Sequence, residues 1–83
     1  MKPDYADAHS NLADALRRKR DLGAALAEAR EGVRLEPENP NTHRALGSVF
    51  RDKGDIDGAE REYRKAAKRS LMRILAAADI QRV

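Results

Sequence analysis

The chain of 83 residues carries 17 basic against 14 acidic side chains, a net charge of +3, with 37% charged and only 4% aromatic residues. That balance, rich in alanine and leucine, excludes a sandwich built from aromatic and β-branched strands and sets the expectation of a single all-α domain over residues 1–83. There is no cysteine for disulfides or thiolate metal sites, and the opening MKPDYADAH lacks the apolar segment of a secretory signal, so a cytoplasmic protein without a membrane span is expected.

The first predicted element is ADAHSNLADALRRK, Ala6 to Lys19, in which Ala8, Leu12, Ala15 and Leu16 follow the i, i+4, i+7, i+8 spacing of an amphipathic helix. Its end, Arg17 to Arg20, reads RRKR. Such a run suits a nucleic-acid contact or a nuclear signal, but cations at a helix C-terminus also interact favourably with the helix dipole. The second element, Asp21 to Leu35, repeats the spacing through Leu22, Ala25, Leu26, Ala29 and Val33. Residues 36–47, EPENPNTHRALG, then break the pattern: Asn39 offers a side-chain cap, and Pro40 begins the next helix where its missing N–H costs nothing. The third element carries Thr42, Leu46, Val49 and Phe50, and the fourth opens with Ile56, Ala59, Tyr63 and Ala66.

Displacing the chain by 34 positions superposes His9 on His43, Leu12 on Leu46, Arg17 on Arg51, Lys19 on Lys53, Asp21 on Asp55, Ala25 on Ala59, Glu28 on Glu62 and Arg30 on Arg64. The same displacement carries Pro37 back to Pro3. The helical pattern is therefore two copies of one helix-turn-helix unit, residues 6–39 and 40–73, followed by residues 74–83.

With His9, Leu12, Ala13, Leu16, Ala25, Ala29, Gly32 and Pro37 in the first unit, and His43, Leu46, Gly47, Phe50, Ala59, Tyr63, Ala66 and Leu71 in the second, the chain resembles the tetratricopeptide repeat (TPR) family. The resemblance implies an α-solenoid of two helical hairpins. Two residues depart from the pattern: Arg20 stands where a turn glycine is usual, and Leu71 where a proline would close the second unit. A left-handed backbone at Arg20 would cost about 1 kcal/mol.

Without that proline the last helix has no local reason to stop. Ala59, Tyr63, Ala66, Ala67, Ser70, Leu71, Ile74, Ala77 and Ala78 share a face roughly 140° wide, so one long helix from Asp57 to Ile80 is expected. It would carry Leu71, Ile74, Leu75 and Ala78 into water, where a second copy would cover them and make a homodimer. The alternative is a turn near Ser70, with residues 74–83 folding back as a cap and Ile80 filling the place of the next unit's leucine.

No catalytic constellation stands out. His9 and His43 occupy the same position of successive helices packed about 10 Å apart, too far for one metal ion, and fill an aromatic slot of each unit. GDIDGAE reads as a turn and helix start, and DKGD lacks the ligand spacing of a calcium loop. The expectation is a non-enzyme without cofactor or metal. Arg61, Arg64, Lys65, Lys68, Arg69 and Arg73 form a basic cluster on the last helix, diluted by Glu60, Glu62 and Asp79 and free of aromatics to stack bases, which leaves nucleic acid a minor alternative.

The resemblance also implies a concave surface, lined by the first helix of each unit, that receives extended peptides. The matching residues are Asp7, Ser10, Asp14, Arg17 and Arg18, then Asn41, Arg44, Ser48, Arg51 and Asp52. Ser10, Asp14 and Ala45 do not supply the lysine and asparagines of the family's clamp for acidic chaperone C-termini. Arg44 and Arg51 are the candidates to hold a ligand carboxylate, against the plainer reading of a solvated charged face. The sequence thus points to a protein- or peptide-binding scaffold that self-associates. An excised or engineered piece of a longer array, with self-assembly as its only activity, is the other reading.

Overall fold

The computed structural model describes residues 5–81, with side chains through residue 78. Four helices follow in order: α1 (Tyr5–Arg18), α2 (Leu22–Leu35), α3 (Pro40–Asp52) and α4 (Ile56–Gln81). α1 and α2 form one antiparallel hairpin and α3 and α4 the next; α3 also packs on both helices of the first hairpin, so it is the central element. All four helices, and the extension of the last, agree with the pattern of the sequence. The fold-back cap does not occur: residues 74–81 continue α4 as helix, because no breaker follows Ser70. The side chain of Ile80, on which the cap depended, lies outside the described residues.

The two hairpin turns are built alike. Asp21 N–H donates to Leu16 O and Arg20 N–H to Arg17 O, and the same pair of bonds recurs from Asp55 to Phe50 and from Gly54 to Arg51. This is the Schellman termination, whose first residue past the helix must be left-handed. Gly54 takes φ 90° there without strain, while Arg20 is held at φ 67°. The cost anticipated at Arg20 is present. Asp21 and Asp55 then cap α2 and α4, accepting from Ala24 N–H at 3.4 Å and from Gly58 N–H at 2.9 Å. A methyl group on Gly58 would meet the Asp55 carboxylate at 2.6 Å, so glycine permits the shorter cap.

Between the hairpins, Asn39 accepts from Asn41 N–H at 2.9 Å, Pro40 begins the helix, and Thr42 Oγ1 donates to Asn39 O at 2.8 Å. The core beneath is made of small residues. Ala13, Ala25, Ala29, Leu46 and Val49 form its buried centre, with Leu16, Leu26, Val33 and Phe50 packed around them. The largest fully buried side chains are Val49, Thr42 and Ser10. Small size lets the helices approach closely. A Cβ on Gly32 would lie 3.2 Å from Ala6 O, and one on Gly47 would lie 2.9 Å from the Tyr63 ring. Tyr63 spans the α3–α4 contact over Gly47, and its hydroxyl is 3.0 Å from Ser48 Oγ.

Candidate functional site

The residues expected to line a concave groove converge along α1 and α3, but as a ladder of mutual contacts, in which only Asp14 Oδ1 and Arg17 Nε are buried without a hydrogen bond among the described residues. At one end Asp7 accepts from Asn39 Nδ2 at 3.0 Å and Asn41 Nδ2 at 3.2 Å. In the middle Asp14 receives Arg44 at 3.2 Å and Arg17 at 3.8 Å. At the far end Arg17 donates to Asp52 at 3.1 Å, with Arg51 at 3.4 Å and Arg20 at 3.7 Å from the same carboxylate. The hydrogen bond from Arg17 is the main reason that the Asp52 carboxyl is held below its ordinary range; partial desolvation opposes it, and Arg51 adds to it. Each rung joins the first hairpin to the second, so the charged residues of the groove hold the two units in register.

Two of the expected groove residues do not line it. Ser10 is fully buried beneath Gly32 and Thr42, and its Oγ has no hydrogen-bond partner. Ser48 is buried and engaged by Tyr63. The family resemblance places both in the groove, and the close approach allowed by Gly32 and Gly47 takes them inside. Arg44 and Arg51 keep large exposed surfaces, although Arg44 also donates to Asn41 Oδ1 at 2.9 and 3.0 Å.

The histidines are joined to acids that spacing alone did not single out. His9 Nδ1 lies 2.6 Å from Glu28 Oε1, and His43 Nδ1 lies 2.7 Å from Glu62 Oε1. The clue was available, because Glu28 and Glu62 superpose under the same 34-residue displacement as the histidines. His43 Nε2 further donates to Pro37 O at 2.6 Å, tying α3 to the preceding turn. Among the described residues no group of three or more His, Cys, Asp or Glu is placed to hold a metal ion.

Half of the basic cluster on α4 is paired with acids, while Arg61, Lys68 and Arg73 are exposed. Arg64 pairs with Glu60 at 3.4 Å, Lys65 with Glu62 at 3.3 Å, and Arg69 with Glu38 at 3.2 Å. Arg69 also donates to Pro37 O at 2.9 Å, fastening the middle of α4 to the turn between the hairpins. Beyond it, Leu71, Ile74 and Leu75 are 54%, 64% and 54% exposed, and Ala78 is exposed as well. Met72, which the stripe did not include, is also exposed, on a different side of the helix next to Arg69, Arg73 and Glu38.

A further apolar surface lies nearer the body. Ile56, Ala59, Tyr63 and Ala67 of α4, with Arg51, Glu60 and Arg64, line an open concavity of about 500 Å³. Sequence reasoning missed it. By the repeat, these residues correspond to the α2 surface that α3 covers in the first hairpin. Among the described residues no helix is long and apolar enough to cross a membrane.

Comparison with known proteins agrees with this geometry. The family model for the tetratricopeptide repeat matches residues 6–39 and 45–71. An inactive TPR repeat-containing thioredoxin of Arabidopsis thaliana is 36% identical over 61 residues, 74% of this chain but 9% of that protein. The bacteriophage adsorption protein A of Escherichia coli K12 is 36% identical over 66 residues, 80% of this chain and 7% of that protein. The chain thus spans less than a tenth of either relative. With two matched repeats folded as successive helical hairpins, the chain belongs to the tetratricopeptide repeat family, whose repeats mediate protein–protein interaction.

Proposed function

We propose that the chain is a non-catalytic interaction module that associates with a second copy of itself through the C-terminal part of α4. The supporting observation is the uncovered row of Leu71, Ile74, Leu75 and Ala78 on a helix that has outrun its own hairpin. Burying such side chains is favourable by about 25 cal/mol per Å², and contiguous apolar surface of this kind marks interaction sites. Sedimentation equilibrium is the test. The chain should sediment above its monomer mass of 9.3 kDa at micromolar concentration, and the double variant Leu71→Glu/Leu75→Glu at that mass. A wild-type chain that stays at the monomer mass up to hundreds of micromolar overturns the reading.

A second reading, peptide binding on the concave face, is favoured by the exposed guanidinium groups of Arg44 and Arg51. On this reading an extended acidic peptide competes with Asp14 and Asp52 for those two arginines, with Asp7, Asn41 and Arg17 flanking them. Titration with a labelled poly-glutamate peptide should give saturable binding that Arg51→Ala weakens. Equal binding by the variant removes this reading.

A further inference from the structure

We propose that the two copies pair their α4 helices antiparallel about a two-fold axis near Ala67, so that the tip of each helix fills the open concavity of the other. The proposal rests on the self-association reading above and specifies what the tip meets. Its basis is that the concavity and the tip belong to one stripe. At about 100° per residue, Ile56, Tyr63, Ala67 and Ile74 fall within about 40° of one another on α4, with Leu71 and Ala78 alongside. The α3 contact, made through Ala59 and Tyr63 against Gly47, takes the edge of this stripe at Tyr63 and the side beyond it at Ala59, and leaves Ile56, Ala67, Leu71, Ile74 and Ala78 open to a second α4.

An antiparallel pair centred on Ala67 places the bulky tip against the hollow. Tyr63 falls opposite Leu71 of the second copy and Ile56 opposite Ala78, and each contact occurs twice by symmetry. Small Ala67 meets its own mate at the axis, where the helices come closest. Ile74 of the second copy falls opposite Glu60, whose carboxylate is turned to Arg64 and leaves its aliphatic stem for the contact. One isologous interface thereby brings the tip of each chain onto the hollow of the other.

The competing arrangement, in which copies stack head to tail as a continued solenoid, is disfavoured by the charges. Within the chain, the contact of the two hairpins is held by Arg17 on Asp52 and Arg44 on Asp14. Displaced by one repeat of 34 residues, the first bridge becomes Arg51 facing Arg18 of the second copy, and the second becomes Ser48 facing Ser10. Both charge pairs are lost and one turns repulsive.

Because the chain has no cysteine, single replacements report the register directly. Under mild oxidation the full chain bearing Ala67→Cys should form a disulfide-linked dimer, while Ile74→Cys should stay largely unlinked. Ile56→Glu, at an exposed site of the hollow, should weaken self-association at least tenfold with helicity retained. Efficient linkage through Ile74→Cys in place of Ala67→Cys, or undiminished association of Ile56→Glu, overturns this pairing while leaving self-association through the tip intact. A monomeric wild-type chain overturns both.

Discussion

The two hairpins share a histidine–glutamate pair and a leucine at corresponding places, and what differs there is what covers them. His43 and Glu62 are 4% and 8% exposed at their side chains, while His9 and Glu28, with nearly the same separation, are 33% and 30% exposed. Leu46 is 7% exposed beneath α2, whereas Leu12, its counterpart, is 46% exposed. Among the described residues no helix lies before α1 to play the part that α2 plays for α3. In a repeat fold, then, burial belongs to the contact between units and not to the unit, and one motif has two energetic values within a single chain.

The sharpest way to break this comparison is at the histidines. His43→Ala empties a buried site and removes the hydrogen bonds to Pro37 O and to Glu62, which keeps only Lys65, and should destabilise by about 3 to 5 kcal/mol, enough to unfold much of the population, whereas His9→Ala should cost about 1 kcal/mol or less. Urea titrations of both variants measure the gap; equal losses would mean that burial does not set the value of the pair. The leucines come next. Leu46→Ala should cost about 2 to 4 kcal/mol through the cavity left among Ala25, Ala29 and Val49, and Leu12→Ala under about 1 kcal/mol. Their thermal midpoints should separate accordingly.

At the turns the sign reverses. Arg20→Gly should stabilise the chain by about 1 kcal/mol by relieving the left-handed backbone, and Gly54→Ala should destabilise it by a similar amount, both read as shifts of the urea midpoint. The smallest effect concerns acid. Asp52 titrates below its ordinary 3.8 in the folded chain, so its bridge stabilises fully above that value and is lost as the pH falls through the lower folded value. The stability difference between the wild type and Asp52→Asn should therefore be constant near neutrality and shrink below about pH 4.

The fold was legible because its signals are local and repeated: helical spacing, capping at Asn39 and Pro40, and the missing proline at Leu71 each act within one or two turns of chain. The surfaces were less so. Ser10 and Ser48 stand at groove positions of the family pattern, but a pattern does not give the depth at which a neighbour packs; Gly32 and Gly47 set that depth. The pairing of Arg17 with Asp52 and of Arg44 with Asp14 spans a whole repeat and depends on side-chain reach, so a mixed-charge face could not be distinguished in advance from a charge ladder. The concavity at Ile56 and Ala67 was hidden for the opposite reason. Its residues look like core in the sequence, and only the absence of a covering helix among the described residues makes them surface.

An interior rich in alanine, in which the side chains sealed completely from water are no larger than a valine, a threonine and a serine, has a consequence for temperature. Unfolding releases little hydrocarbon to water per residue, so the heat-capacity increment should fall below the usual ~12–15 cal/mol/K per residue. The curve of stability against temperature is then broad and shallow, and chilling weakens this fold less than it would one packed with leucine and phenylalanine.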